Sequence, residues 1–495
     1  MDSKTAVNYS AVPEMVAYKK ALSGSADHII STRKIEIIPS SGGGDYGDGF
    51  NNDLTVYIQD PSEGSFLHPS SVYATCDIQT LNSAGAAVSS AIFESSANDI
   101  IQRVQVRGLK SRVQLVDAQN YNVWSSMIDK IKYPLAYKGE GEFGRGMGRK
   151  IDSISDTAAA VYNLNYGGAS RNTTIKDELG AGSRRFKIDL SKVPLFNKVP
   201  GQKQELLLPL GVTGGFEMNL RFAPTAEAFA GWETNNTDGS IPATAVKYKV
   251  TNFRLHATVS YMSQNFMTMF KQSIAAGQMS IPFMSYIGLQ HNPKSTNETV
   301  RIGSALEHLN SIFVTHRNTG DVSSVQKYSH SHFGNAEVTE LQAISGGVSI
   351  PSQPLVCTTG AAGAVNTSGA AEEELMLALK NIGLDYKPGC YTEGQKDLTL
   401  ATSNVGTTSK PLLSDVGGWN GASILGLPAS SGSDPFSSVY NRSSSGVSTS
   451  RKADLNLNLK YASDPSAYTA NFFLVHANVM TVLPNGQIIP EQLIF

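Results

Sequence analysis

The chain is 495 residues long and sets 40 Lys and Arg against 42 Asp and Glu, a formal net charge of −2. With only 17% charged residues, it has no global field to draw in nucleic acid. That length can bury substantial cores without disulfide or metal staples, as two large units or three average ones. Cys76, Cys357 and Cys390 are too scattered for a disulfide framework or a zinc spacing. The N-terminus lacks the apolar segment of a secretory signal, and no run approaches the ~18 apolar residues of a membrane helix. The expectation is a soluble product of a reducing compartment, not secreted by the usual route.

Along the chain, period-two alternation dominates. Leu54, Val56 and Ile58 alternate with polar residues, as do Val72, Ala74, Cys76 and Ile78, then Val104 and Val106. Cys76 therefore reads as a small core hydrophobe. A helix is expected over 117–131, with Asp117 as N-cap and Tyr121, Trp124, Ile128 and Ile131 on one stripe. Alternation returns at Phe216-Met218-Leu220-Phe222 and at Leu255-Ala257-Val259-Tyr261. A second helix is expected over 264–276, between Ser263 as cap and Gly277 as stop. A third, over 372–382, opens on Glu372-Glu373-Glu374 and carries Lys380 near its end, which suits the helix dipole. The final alternating segment is Leu455-Leu457-Leu459. One apolar and one polar face per strand is the pattern of antiparallel sheets in a sandwich.

A faint internal repeat organises these strands. Met218-Asn219-Leu220-Arg221-Phe222-Ala223 echoes Leu457-Asn458-Leu459-Lys460-Tyr461-Ala462, and Leu255-His256-Ala257-Thr258-Val259 echoes Val475-His476-Ala477-Asn478-Val479. The echoes keep their order and each closes its half, so the reading is two tandem copies of one β-sandwich joined near Met262. The first copy is longer between its two echoes, and the excess falls in the polar stretch Ala226 to Thr244. Ser/Gly/Ala-rich stretches at 152–170, 344–371 and 427–450 read as long loops.

Chemical candidates are weak. Gly139-Glu140-Gly141-Glu142-Phe143-Gly144 spells a dinucleotide fingerprint, but no strand precedes it and no helix opens within it, so it reads as a loop. His330-Ser331-His332, with His316 and His308 nearby, lacks a Cys or carboxylate partner at metal-ligand spacing and reads as surface histidines. Asp45, Asp48 and Asp53 break the order of a calcium loop. His256 and His476 occupy equivalent places in the repeat and read as residues of a polar sheet face. Lys130, Lys132, Lys138, Arg145, Arg149 and Lys150 form the densest basic stretch, without interleaved aromatics, and read as a solvated loop. No catalytic, cofactor-binding or metal-binding residue is assigned, and the chain is expected not to be an enzyme.

Several stretches carry a resemblance. "FLHPSSVYATCDIQT" is followed by "NDIIQRVQVRGLKSRVQLVDAQNYNVWSSMI", and later come "ELLLPLGVTGGFEMNLRFAP", the crossover "YKVTNFRLHATVSYMSQNFMTMFKQSIAAGQMSIPFMSY" and the terminal "VMTVLPNGQI". In order and pattern, over residues 33 to 495, the chain resembles the double jelly-roll major capsid proteins of icosahedral double-stranded DNA viruses. The flavour is that of polinton-like viruses and virophages. The resemblance implies an all-β fold of two tandem eight-stranded jelly-roll sandwiches with a few short helices and long loop insertions. It divides the chain into an N-terminal arm and lead-in strand (1–50), a first roll (51–262), and a second roll (263–495) with large insertions at about 344–450. It further implies a homotrimeric, pseudo-hexameric capsomer in the virion, with neighbouring capsomers, penton and minor capsid proteins as partners. The N-terminal arm would reach an internal membrane or the genome, residues 138–150 would form a tower or inter-subunit loop, and no small-molecule substrate is expected. The alternative from another class is a glycan- or receptor-binding β-sandwich surface protein, for which Trp419 in "GGWNG" is the one suggestive residue.

Overall fold

The computed structural model describes residues 28–40, 44–132, 145, 177–196, 206–231, 246–318, 333–357, 369–384, 401–403, 410–412, 424–429 and 455–490, apart from breaks of one or two residues within these stretches. The N-terminal half supplies β1 (Ile29–Ile37), β2 (Asp53–Ile58), β3 (Ser65–Leu81), β4 (Ala91–Phe93), β5 (Ile101–Gly108), β6 (Gln114–Ala118), β7 (Arg185–Asp189), β8 (Phe216–Phe222), β9 (Phe229–Gly231) and β10 (Lys247–Met262). The C-terminal half supplies β11 (Ser280–His291), β12 (Asn297–Ile302), β13 (Leu309–Asn318), β14 (Val338–Ser345), β15 (Val348–Val356), β16 (Ala401–Ser403), β17 (Lys410–Leu412), β18 (Ile424–Pro428), β19 (Leu455–Tyr461), β20 (Tyr468–Val482) and β21 (Ile488–Pro490). Three longer helices are α1 (Tyr121–Lys132), α2 (Gln264–Ala275) and α3 (Gly369–Asn381).

Both halves follow one plan. The first has sheets β1-β10-β3-β7 and β2-β8-β5-β6; the second has β11-β20-β13-β18 and β12-β19-β14-β15. Setting aside the short pairs β4–β9 and β16–β17 and the appended β21, each half has eight principal strands. Taken in chain order they run 1-8-3-6 in one sheet and 2-7-4-5 in the other. Every described pairing between named strands is antiparallel. This is the jelly-roll order, made twice.

The repeat legible in the sequence lies on corresponding strands. Met218 is the third residue of β8 and Leu457 the third of β19. Met218 pairs with Val56 and Val106, and Leu457 with Val300 and Ala343, so each sits at the centre of an apolar cross-strand row. The polar face repeats as well. Thr55 Oγ1 donates to Asn219 Oδ1 at 2.6 Å, and Thr299 Oγ1 to Asn458 Oδ1 at 2.9 Å. The second echo matches the strand but not the face. His256 lies outward of the first roll's core residues Leu255 and Ala257, whereas alternation puts His476 on the side of Phe472 and Leu474, facing the second roll's own core. A one-residue slip in an alternating strand exchanges its faces, so the two histidines are not equivalent.

The helices stand close to their expected places. Ser263 Oγ accepts from the Phe266 backbone N–H to start α2. Asp117 is not an N-cap: it belongs to β6 and ion-pairs with Arg103 at 2.6 Å. The helix instead begins after Asn120, whose left-handed backbone (φ 53°) ends the strand and whose carbonyl accepts from Trp124 N at 3.0 Å.

The stretch 344–371 is not one long loop, because it contains β15. Pro351 and Pro354 within β15 cannot donate to a ladder, which makes the segment unlike a strand on paper and suits the sheet edge it occupies. The 344–450 region likewise contributes α3 and β18, whose residues Ile424 to Leu427 are all buried and so show no alternation. The second roll reaches eight strands only through this supposed insertion. Residues 152–170, and most of 427–450, lie outside the described residues, as does most of the polar stretch 226–244 beyond the single helical turn Thr225–Ala228 and β9.

Among the described residues, two apolar clusters fill the rolls. One holds the interior of the first roll, including Val56, Ala74, Cys76, Val104, Met218 and Leu255, and continues into Tyr286, Phe313, Phe473 and Val475 of the second. The other, with Ile312, Val314, Leu457, Phe472 and Leu474, lies within the second roll alone. Successive residues of β20 thus serve alternate cores. Phe472 and Leu474 face the roll's interior, while Phe473 and Val475 face the seam between the rolls.

Candidate functional site

The seam is the most elaborated part of the molecule, and α1 is its centre. Trp124 stacks on Tyr286 of β11 with ring centroids 4.5 Å apart, and meets Phe473 of β20 at 5.4 Å and Phe313 of β13 at 6.3 Å. Tyr121, Val123, Met127, Ile128 and Ile131 are buried alongside it. At the β6–α1 corner, Gln290 Nε2 donates to Asn120 Oδ1 at 3.3 Å. Gly288 lets the strands approach: a Cβ there would lie 2.6 Å from the Gln119 carbonyl oxygen.

Beneath the aromatic layer lies a buried polar cluster. The Asp189 backbone exchanges hydrogen bonds with the Asn98 amide (2.8 and 3.2 Å), and its carbonyl also accepts from Tyr121 Oη at 2.9 Å. Its carboxylate accepts from Arg145 Nη2 and Ser191 Oγ, both at 2.6 Å. Next to it, Lys192 Nζ donates to Ser125 Oγ at 2.9 Å and stands 2.6 Å from Asp129 Oδ1. The Asp129 contact is close but poorly angled for a hydrogen bond, so its stabilisation is Coulombic. Both ion pairs are almost fully enclosed, with side-chain exposures of 9% and 8% for Arg145–Asp189 and 4% for each member of Lys192–Asp129. Burial pushes the Asp189 carboxyl up, but the neighbouring Lys192 and Arg145 charges and the Ser191 hydrogen bonds outweigh it and hold it below the usual carboxylate range.

A second polar link crosses the seam. Glu227 accepts from Asn122 Nδ2 at 3.1 Å and Gln102 Nε2 at 3.4 Å. Burial raises its pKa against the opposing charge of Arg317, which lies buried on β13 and donates to Asn471 Oδ1 at 3.0 Å. These carboxylates and cations neutralise one another, and the cluster offers structural fixation rather than a poised acid or nucleophile.

The singled-out residues that are among the described residues do not come together as a second site. Of the glycine-rich stretch 137–150 only Arg145 is among the described residues, and it is a buried ion-pair partner, not part of a solvated loop. Its run of basic neighbours concealed it: nothing local distinguishes the one arginine that meets Asp189 across the fold. His316 is buried on β13, bonded to Tyr461 Oη at 3.1 Å and pushed down to about 4 by burial, which removes it from any surface histidine group. His308, His330 and His332 lie outside the described residues, as do Trp419 and Cys390. Asp48 accepts from the Thr225 backbone and hydroxyl, both at 2.8 Å, while Asp45 lies 3.9 Å from Lys249. Among the described residues no three His, Cys, Asp or Glu side chains are placed to hold a metal. Cys76 and Cys357 are buried thiols, Cys357 pushed up to about 12 by burial and nearby Glu340.

No protein-family model matches the chain, and no curated protein matches it. Solved structures do. The Faustovirus major capsid protein aligns over 91% of this chain and 90% of its own, with 8% identity and a TM-score of 0.51. PBCV-1 VP54, a crystal structure fitted into a reconstruction of the virophage Sputnik, aligns over 94% and 97% at 12% identity and TM-score 0.50. The cryo-EM structure of the Sputnik virophage aligns over 94% and 89% at 10% identity and TM-score 0.50. Identities this low speak to architecture, and over nearly the whole of both chains that architecture is the double jelly roll of viral major capsid proteins.

Proposed function

We propose that this chain is the major capsid protein of an icosahedral double-stranded DNA virus, a structural component of the virion shell and not an enzyme. The observation that carries the reading is the strand order made twice, with the two rolls locked side by side through Trp124 and the buried Asp189 and Lys192 cluster. Such a chain is a stiff two-roll block. Three blocks arranged about a three-fold axis give six sandwiches in pseudo-hexagonal array, a shape that tiles a flat face. An obligate interface of about 2,000–5,000 Å² would cover the remaining sheet edges. We assign the lead-in strand β1, paired with β10, to the first roll, which then starts at Ile29 and not at 51 and runs to 262, with the second roll at 263–495. Penton and minor capsid proteins, and a membrane or genome contact for the arm, complete the partner set; the chain's flavour is that of polinton-like viruses and virophages.

The test is the solution mass by light scattering, followed by negative-stain imaging of the same peak. Three times the chain mass of 52.9 kDa with three-fold, hexagonal particles is the expected result. A well-behaved 52.9 kDa monomer would overturn the reading and favour a glycan- or receptor-binding surface protein.

A further inference from the structure

The polar layer of the seam holds one contact that ordinary ion pairing leaves unexplained. On α1, Ser125 and Asp129 are four residues apart and share a face, and Lys192 reaches both. Its Nζ donates to Ser125 Oγ at 2.9 Å and stands 2.6 Å from Asp129 Oδ1. Yet among the described residues Asp129 Oδ1 accepts no hydrogen bond, and the buried Ser126 hydroxyl, three residues earlier, has no partner either. Buried polar atoms seldom go unpaired. The lysine is delivered by a tight turn. Ser191 N and Oγ donate to Asp189 Oδ1 at 3.0 and 2.6 Å, and Val193 N donates to the Leu190 carbonyl at 3.0 Å. Asp189 thus positions Lys192 from one side, while α1, pinned by Trp124 against Tyr286 and Phe473, positions Asp129 from the other. Both side chains are 4% exposed, so no outside substrate reaches the ammonium, and the group held against it is the Asp129 carboxyl.

We propose that Lys192 and Asp129 condense in the folded chain to an amide that links α1 to the segment after β7. The inference goes beyond the capsomer reading and does not rest on it, since both reacting groups belong to one chain. The ion pair is the newly folded state, and the amide accumulates from it. The Lys192 ammonium first passes one proton to the Asp129 carboxylate, leaving an amine and a carboxylic acid. The Nζ lone pair then forms the C–N bond at Cγ. That carbon keeps one oxygen as the amide carbonyl; the other departs with its own hydrogen and one from nitrogen, as a single water. Nothing is oxidised or reduced, and no co-reactant is consumed. In bulk solvent this condensation is opposed because both ions are strongly hydrated. Here folding has already removed that hydration, and neutralising a buried pair relieves its desolvation cost. Holding two groups in fixed opposition can supply an effective concentration of roughly 10⁵–10⁸ M. The released water has a place to go. A cavity of about 60 Å³, lined by Ser191, Lys192, Ser285 and Tyr286 among others, adjoins the site, and about 10–15 Å³ suffices for one water.

The experiment is intact-mass spectrometry of the full chain directly after folding and again after a week's incubation. A species lighter by one water, about 18 Da, should appear and grow. Trypsin should then release a branched peptide joining Val113–Lys130 to Ile188–Lys198 through Asp129 and Lys192, uncut after Lys192. Lys192→Arg keeps the counter-charge to Asp129 but lacks the primary amine, so it should fold and lose both signals. Chain held in urea should gain neither. A dehydrated species that persists in Lys192→Arg is a cyclised aspartate elsewhere and overturns the proposal. So does a week-old wild-type chain still at the full mass of its sequence, or a linkage that forms equally in urea. Should the variant fail to fold, presence or absence of the branched peptide in the wild type decides alone.

Discussion

The outer faces of the two long sheets make the instructive contrast. In the second roll, the directly opposed pair Phe313 and Phe473 sits under Trp124 and is removed from water. In the first, the directly opposed pair Tyr73 and His256 stacks at 4.8 Å with His256 Nε2 bonded to Thr75 Oγ1 at 2.9 Å, and both residues remain part exposed. One strand order supports both arrangements. What differs is the side-chain set on the outward face, and that set follows from whether this chain supplies a cover. A sheet covered on both sides reads as a continuous apolar run, as in Phe472-Phe473-Leu474-Val475, while a sheet with one open side alternates, as in β10.

The comparison can be broken most sharply at the covered face. Trp124→Ala should cost about 3–5 kcal/mol in urea unfolding, because it empties an enclosed aromatic site. Tyr73→Ala on the open face should cost no more than about 1 kcal/mol in the isolated chain; equal costs would show that the two faces are not different in kind. The polar layer under the tryptophan comes next. Asp129→Ala leaves the Lys192 ammonium enclosed without its counter-charge and should cost about 3 kcal/mol, whereas Asp129→Leu with Lys192→Met should recover most of that loss. If the double replacement is no better than the single, the ion pair is required for more than charge balance.

Acid separates a histidine inside the second roll, His316, from one on the open face of the first, His256. His316 is neutral in the fold, with its pKa near 4 against an ordinary 6.5, so the unfolded chain takes up the proton first. Its contribution is complete above about pH 6.5 and is lost as pH falls toward 4, by about 3 kcal/mol. His256 is shifted in the same direction by burial and by Lys34, Arg185 and Arg254, against Glu36, and acts in the same sense. His316→Gln should therefore flatten the loss of urea midpoint between pH 7 and pH 4.5 more than His256→Gln does. The smallest effect belongs to the open face: Arg185→Ala removes a half-exposed partner of Asp77 and should shift stability by less than about 0.5 kcal/mol.

Much of the fold was legible because one-sided burial writes itself as alternation. β2, β3, β8, β10 and β19 were read directly, and the matched Asn219 and Asn458 marked equivalent strands. The strands missed were those for which the rule fails. β15 carries two prolines because an edge tolerates them, and β18 is buried throughout. Asp117 looked like a cap because its partner, Arg103, lies on the neighbouring strand and leaves no local trace. The seam was the least legible part. Trp124 was read as part of an apolar stripe, but its partners Tyr286, Phe313 and Phe473 are distant in sequence, and Arg145 was hidden among other basic residues.

Gly288 gives the seam a consequence beyond stability. With the Gln119 carbonyl where a side chain would begin, the spacing between the rolls is set by the absence of one carbon atom. A methyl group there would stand 2.6 Å from a backbone oxygen, too close for either atom to stay in place, so β11 and the β6–α1 corner must move apart and the tilt between the rolls changes. A shell made of many copies cannot average such a tilt away. Every chain would lean in the same sense, and the misfit would add from one roll to the next until the array no longer met itself. If the chain forms the proposed shell, its tolerance is therefore set at Gly288: Gly288→Ala should leave secondary structure by circular dichroism intact while electron micrographs show curved or unclosed sheets in place of uniform shells.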